Sequence, residues 1–213
     1  MNCFYIDTSS SYLYSGILRN NKLLFEIKKN FGKDLSRYTV SEIDKLFKKS
    51  DINPSDINKI IIVSGPGSFT GIRIGMTFAK IFAWSLKKEI ITISSLEAMQ
   101  ASVNSKKVLV PIIDARRGYV YAGVYENGNN ILQDQYIKLD KLIEFLNKMN
   151  KSYLYITNDN SFNYSNIVKY NPNILRIISI YKDRKSVNPH LVMPEYLKLT
   201  EAEERMGNLK NDN

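Results

Sequence analysis

Residues 6–18 and 113–125 align without a gap, and this internal echo limits the folds open to the chain more than any other feature. The first reads Ile-Asp-Thr-Ser-Ser-Ser-Tyr-Leu-Tyr-Ser-Gly-Ile-Leu; the second reads Ile-Asp-Ala-Arg-Arg-Gly-Tyr-Val-Tyr-Ala-Gly-Val-Tyr. Each predicts a strand, a tight turn after the aspartate, and a second strand. The residues downstream of each copy agree. In the first half a third strand is expected over 22–27 after Asn20-Asn21, then a helix over 36–49 with Ile43, Leu46 and Phe47 on one face. A strand over 60–63 and a helix from Gly71 complete it. In the second half the same reading gives a strand over 131–137, a helix over 140–149, a strand over 153–157 and a helix over 161–170. Both halves read β-β-β-α-β-α. That is an α/β class, with an antiparallel meander extended by parallel strands and helices on its faces.

Two such halves in tandem resemble the actin-like (ASKHA) superfamily, whose halves are built on ribonuclease-H-like subdomains. The resemblance implies a first subdomain over 1–104 and a smaller second one over 105–186. It also implies a C-terminal segment, 187–213, that returns to the first half; its end, 201–213, is polar and expected to fray. In actin-like ATPases the turn after the first strand of each half cradles phosphate and metal. Asp7, with Thr8, and Asp114 hold those positions here as vestigial phosphate turns. Working members also need a glycine pair in the second half, and between Gly128 and Gly207 this chain has no glycine. Asp7 and Asp114 equally suit turn residues whose carboxylates bond local N–H groups.

The second signal is Gly65 to Gly75, reading Gly-Pro-Gly-Ser-Phe-Thr-Gly-Ile-Arg-Ile-Gly between an apolar strand and a helix. Glycine suits backbone that must reach positive φ or be approached closely. Thr70 is the expected N-cap, with Ser68 as second candidate. A Walker A loop is excluded, because Gly65 and Gly71 are too far apart and no Gly-Lys-Ser/Thr follows. A dinucleotide fingerprint fails as well: its third glycine position is Thr70, and Glu89 precedes a strand instead of ending one. Gly71, Gly75, Ala79 and Ala83 recur every four residues, placing a small-residue stripe on one helix face. Glycine costs about 1 kcal/mol against alanine in a helix interior, so close packing should offset it. The stripe fits a partner element in the same domain or a helix of another chain.

Composition narrows the class. No apolar run reaches the ~20 residues of a membrane span, and Met1-Asn2-Cys3-Phe4 lacks a basic leader. One cysteine, Cys3, excludes an intramolecular disulfide and suits a small core residue. A cytoplasmic protein is expected. Thirty Lys and Arg against 21 Asp and Glu give a net charge of +9, but the basic residues fall in short scattered pairs such as Lys28-Lys29 and Arg116-Arg117. That distribution fits a general lysine bias better than a nucleic-acid platform. The one histidine, His190, sits in a loop context and suits a packing residue, so no metal site or Ser-His-Asp set is expected.

The 65–75 motif resembles that of the TsaB (YeaZ) family, accessory subunits in threonylcarbamoyladenosine synthesis on tRNA. Ile6-Asp7-Thr8, the stretch from Ile113 to Tyr121, and Pro194-Glu195-Tyr196-Leu197-Lys198 are similar to further family elements, with Lys198 where the family has arginine. The family often shows His-Ser before its first helix; here Asp34-Leu35-Ser36 has no histidine, so that residue's role does not carry over. The resemblance implies a non-catalytic subunit that binds TsaD and also engages TsaE, with ATP and metal on those partners and none held by itself. It implies contact with tRNA only indirectly, no membrane, and a homodimer when the chain is alone. The implied partner face is carried by Gly65, Pro66, Gly67, Ser68, Phe69, Thr70, Gly71, Arg73, Gly75, Ala79 and Ala83, on the helices over 36–49 and 71–87. The alternative is a small actin-like kinase or ATPase using Asp7 and Asp114.

Overall fold

A computed structural model of the chain describes residues 1–198. The first sheet holds β1 (Asn2–Asp7), β2 (Tyr12–Arg19), β3 (Lys22–Asn30), β4 (Lys59–Val63) and β5 (Glu89–Ile93), in the order β3-β2-β1-β4-β5. β1, β2 and β3 form the antiparallel meander, and β4 and β5 add in parallel. The helices of this half are α1 (Leu35–Ser50), α2 (Phe69–Ser85) and α3 (Ser95–Ala101). The second sheet holds β6 (Val108–Asp114), β7 (Tyr119–Glu126), β8 (Asn129–Lys138), β9 (Tyr153–Thr157) and β10 (Ile167–Lys169), with α4 (Leu139–Lys148) after the meander. Its order, β10-β9-β6-β7-β8, is the first sheet's order again when β6 is matched to β1. The duplicated actin-like architecture expected from the repeat is therefore present in both sheets.

Strand periodicity sorts the core of the first sheet. Phe4 and Ile6 of β1 point to one face, where they pack with Ile43, Leu46 and Phe47 of α1 and Met76, Ala79 and Ala83 of α2. Cys3 and Tyr5 point to the other face, with Ala98 and Ala101 of α3 and Ile174, Ile177 and Ile178. The last three belong to α5 (Ile174–Tyr181), which follows the second sheet in sequence but packs on the first. Its apolar residues recur at helical spacing and Asn173 caps it, its side chain accepting from the Arg176 N–H at 3.0 Å. α3 is shared between the halves: Leu96 and Met99 pack on Leu109, Tyr125 and Ile156 of the second sheet. A Ser94–Glu97 capping box starts it.

One detail departs from the sequence reading. No helix forms over 161–170; that stretch is loop followed by the short strand β10, and Phe162 and Tyr164 cover the second core as loop residues. Its Asn- and Ser-rich sequence gives side chains that compete for backbone bonds and no continuous apolar stripe. The helix in this region is α5, further along the chain. The expectation for 201–213 lies outside the described residues. The final described stretch does run along the first half: the Val187 N–H donates to Ile90 O at 2.9 Å and the Glu195 N–H to Ser64 O at 2.8 Å. Among the described residues no helix is long and apolar enough to cross a membrane.

Candidate functional site

The glycine-rich turn and the turn after β1 lie against each other. The Ser68 N–H donates to Ser9 O at 2.7 Å, and the Thr8 hydroxyl donates to Gly71 O at 2.7 Å while accepting from the Gly75 N–H at 3.1 Å. Side chains at Gly67 or Gly71 would collide with the Ser9 or Thr8 carbonyl oxygen, and one at Gly75 with the Thr8 hydroxyl. Gly67 also holds φ +153, which disfavours other residues. The Gly65–Pro66 bond is cis, and the Pro66 carbonyl accepts from the Ser95 hydroxyl. The motif thus fastens α2 onto the end of β1.

This contact decides between the two readings of the small stripe. Gly71, Gly75, Ala79 and Ala83 are all buried, facing Thr8 and the first core rather than outward. Gly65 and Pro66 are buried as well. The close partner of the glycines is the turn after β1 of the same chain, Ala79 and Ala83 pack into the first core, and the second-chain reading of these four residues is corrected accordingly. The cap is corrected too: Ser68 is the N-cap of α2, accepting from the Gly71 N–H at 3.2 Å, and Thr70 lies inside the helix. Of the expected partner face, Ser68, Phe69, Thr70 and Arg73 are exposed.

Asp7 is almost fully buried. Its carboxylate accepts from the Ser9 N–H at 2.8 Å and from the Tyr5 hydroxyl at 3.4 Å. Burial pushes its pKa up, partly countered by the bonds from Ser9 and Tyr5. Asp114 is exposed and closes its own turn, accepting from the Arg116 N–H at 2.8 Å. Its backbone N–H donates to Asp159 at 2.7 Å; burial raises the Asp159 pKa, partly countered by that bond. Asp7 and Asp159 line one cavity between the halves, closed by Tyr14 and Tyr170, whose rings meet edge to face at 5.8 Å. Its volume is about 80 Å³, against the ~300 Å³ or more of ordinary ligand pockets. The donors of the first-half turn are already engaged: the Ser9 N–H by Asp7 and the Thr8 hydroxyl by Gly71 O. Asp159 was missed by sequence reasoning. It follows β9 where the glycine turn follows β4, and only that repeat position marks it.

The outward side of α1 and α2 is different in character. A groove of about 590 Å³ runs between them, lined by Val40, Phe69, Ile74, Phe78 and Ile81 with Ser36, Thr70, Arg73 and Thr77. Val40 is 61% exposed, Ile81 60% and Trp84 62%. The Arg73 guanidinium stacks on the Phe69 ring at 3.7 Å and donates to the Tyr196 hydroxyl at 3.0 Å, and Tyr196 stacks on Phe69 at 5.4 Å. The Pro-Glu-Tyr element thereby reaches the end of this groove. Val40, Ile81 and Trp84 were not singled out from sequence; the outward halves of the α1 and α2 patterns were the available signal. His190 packs edge to face on Trp84 at 6.0 Å. Among the described residues no cluster of three His, Cys, Asp or Glu could hold a metal ion.

The chain has relatives among known proteins. The family model for TsaD, tRNA N6-adenosine threonylcarbamoyltransferase, matches residues 30–175. A Buchnera aphidicola (subsp. Schizaphis graminum) tRNA threonylcarbamoyladenosine biosynthesis protein TsaB is 28% identical, covering 71% of this chain and 75% of its own. Among solved structures, a Pseudomonas aeruginosa protein described as similar to peptidase YeaZ superposes with a TM-score of 0.81 at 16% identity, over 92% of this chain and 99% of its own. That likeness speaks for the fold. The Bacillus subtilis (strain 168) tRNA threonylcarbamoyladenosine biosynthesis protein TsaB is 33% identical over 95% of this chain and 96% of its own. By that match the chain belongs to the TsaB (YeaZ) family of tRNA threonylcarbamoyladenosine biosynthesis proteins.

Proposed function

We propose that the chain is a non-catalytic docking subunit, which binds TsaD through the α1–α2 groove and supports threonylcarbamoyl transfer to the adenosine next to the tRNA anticodon. The observation that carries this is the row of large apolar side chains left exposed on two adjacent helices, Val40, Phe69, Ile81 and Trp84. Scattered apolar residues are ordinary on a surface, but a continuous apolar groove rimmed by polar groups marks a binding face. TsaD carries the transfer chemistry, TsaE joins the assembly, and ATP and metal reside on those partners. The tRNA is reached through the complex, in the cytoplasm. Without TsaD the same groove pairs two copies of the chain, since an isologous contact covers it equally.

The small stripe contributes indirectly. It seats α2 on β1, so that the outward residues of α2 stand at a fixed height beside α1. The kinase reading through Asp7 and Asp114 has the small inter-half cavity against it, together with the Asp114 carboxylate turned to its own backbone.

The test is a pair of charge insertions, Val40→Asp and Ile81→Arg, each at an exposed position outside the core. Affinity for TsaD, measured by titration calorimetry, should fall at least about a hundredfold, equivalent to ~2.7 kcal/mol. Circular dichroism and the melting temperature should be unchanged. Undiminished TsaD binding by both variants would show that the groove is not the docking face.

A further inference from the structure

A second cavity lies on the other face of the first sheet. α1 and α2 cover one face, whereas α3 and α5 cover the opposite one. Between α5, the loop over 103–107 and the turn joining β7 to β8 is a space of about 660 Å³, within the size range of small-molecule sites. Its charge balance is unusual. Lys106, Lys107, Arg176 and Arg184 line it, against one carboxylate, Glu97.

That carboxylate is already committed. Both of its oxygens are held by the Arg184 guanidinium, at 2.5 and 3.0 Å, and one also accepts from the Ser94 N–H at 2.9 Å. Arg184 is thereby neutralised. Arg176 is not: its Nε is buried without a hydrogen-bond partner, and its side chain forms no ion pair among the described residues. The side chain is partly exposed, and its Nε is a buried donor that nothing in the described chain satisfies. Lys106 and Lys107 likewise have no carboxylate partner among the described residues.

We infer that this inter-half cavity binds a small phosphate-bearing molecule, with the Arg176 guanidinium as the principal contact and Lys106 and Lys107 as supporting charges. A planar guanidinium matches phosphate oxygens in a bidentate manner. Three uncompensated cations suit a multiply charged phosphate better than a single carboxylate. Val103 and Ile180 supply apolar wall for the remainder of the molecule. A recessed space of this volume favours a small ligand over an RNA backbone, which a flat basic surface would serve. Since α5 belongs to the first sheet and the β7–β8 turn to the second, a ligand here contacts both halves.

The experiment uses the full chain with inorganic phosphate and, separately, ribose 5-phosphate, followed by titration calorimetry and thermal melting. Saturable binding and a raised melting temperature are expected for both. Arg176→Gln should weaken binding about tenfold or more, Arg176→Lys less, and Lys106→Gln with Lys107→Gln less again. The Asn173 cap survives these changes, because it uses the Arg176 backbone N–H. Arg176→Met provides a second readout. It removes the unsatisfied Nε donor at similar volume, so the unliganded melting temperature should hold or rise while phosphate no longer raises it. The inference is overturned if neither phosphate probe binds at millimolar concentration, or if Arg176→Gln binds as well as wild type. Binding of tRNA that depends on Arg176, without binding of either small probe, would also overturn it and assign the surface to RNA.

Discussion

Gly71→Ala tests the seating of α2 most directly. In a free helix the change should stabilise by about 1 kcal/mol, since alanine is the better helix former. Here the added methyl would fall on the Thr8 carbonyl oxygen, well inside van der Waals contact. That oxygen cannot simply move away. The adjoining Ser9 carbonyl holds the Ser68 N–H at 2.7 Å, and the Thr8 hydroxyl bridges Gly71 O and the Gly75 N–H. Overpacking of this kind costs about 1–3 kcal/mol, and shifting the turn forfeits one or two hydrogen bonds at about 1 kcal/mol each. Offsetting the propensity gain leaves a net destabilisation of about 2–3 kcal/mol. For a chain of this length that lowers the melting temperature by roughly 5–10 °C. Guanidinium unfolding with an unchanged m-value is the assay.

A double-mutant cycle adds a discriminating control. Alanine at Gly75 would meet the Thr8 hydroxyl, which Thr8→Ala removes, whereas alanine at Gly71 meets the Thr8 backbone, which Thr8→Ala leaves in place. Rescue by Thr8→Ala should therefore appear for Gly75→Ala and be absent for Gly71→Ala, with a coupling of about 1 kcal/mol or more. A Gly71→Ala protein more stable than wild type would refute the whole contact, and with it the statement that the small stripe faces inward.

Asp7→Asn should raise the melting temperature at pH 7, because burial lifts the folded pKa of this carboxylate and the ionised form is the costly one. The sign follows from linkage: the stability of the protonated form is fully present below the unfolded pKa and is lost as pH rises through the folded one. The gain from Asp7→Asn should therefore shrink as pH is lowered toward the ordinary carboxylate range. Asp134→Ala should destabilise by about 3 kcal/mol in urea unfolding, because Asp134 accepts from the Ser94 hydroxyl of the first half and the Tyr125 hydroxyl of its own, and both donors would be left without it. Asp134→Asn, which keeps one acceptor oxygen, should cost less than Asp134→Ala in the same assay.

The fold was legible where the signal was periodic and repeated. The 6–18 and 113–125 echo located both meanders, and α1 was plain from Ile43, Leu46 and Phe47. The strand beginning at Lys59 and the glycine turn after it were read from a short apolar run ended by Gly65. The stretch over 161–170 reads as helix only by analogy with the first half, and a duplicated frame does not require duplicated connections. α5 was overlooked although Asn173, Ile174, Ile177, Ile178 and Tyr181 carry a cap and a full helical stripe. α3 was overlooked although Ser94 and Glu97 form a capping box. The stripe of small residues was visible, but its direction was not: four-residue spacing fixes a face and says nothing of what covers it. The inward answer came from Thr8, distant in sequence by 63 residues from Gly71.

Helix α5 also sets the order in which the molecule can be made. The first sheet buries Tyr5, Leu18 and Ile61 beneath residues that leave the ribosome only after the entire second sheet. Until then one side of β1, β2 and β4 lacks its α5 cover, and closing that gap joins β1 and β2 to positions more than 150 residues away, at a substantial loop-entropy cost. A nascent chain halted near residue 104 would display an apolar sheet face to water, so the amino-terminal half is a poor candidate for an autonomous fragment. Premature termination should yield aggregation rather than a small functional domain.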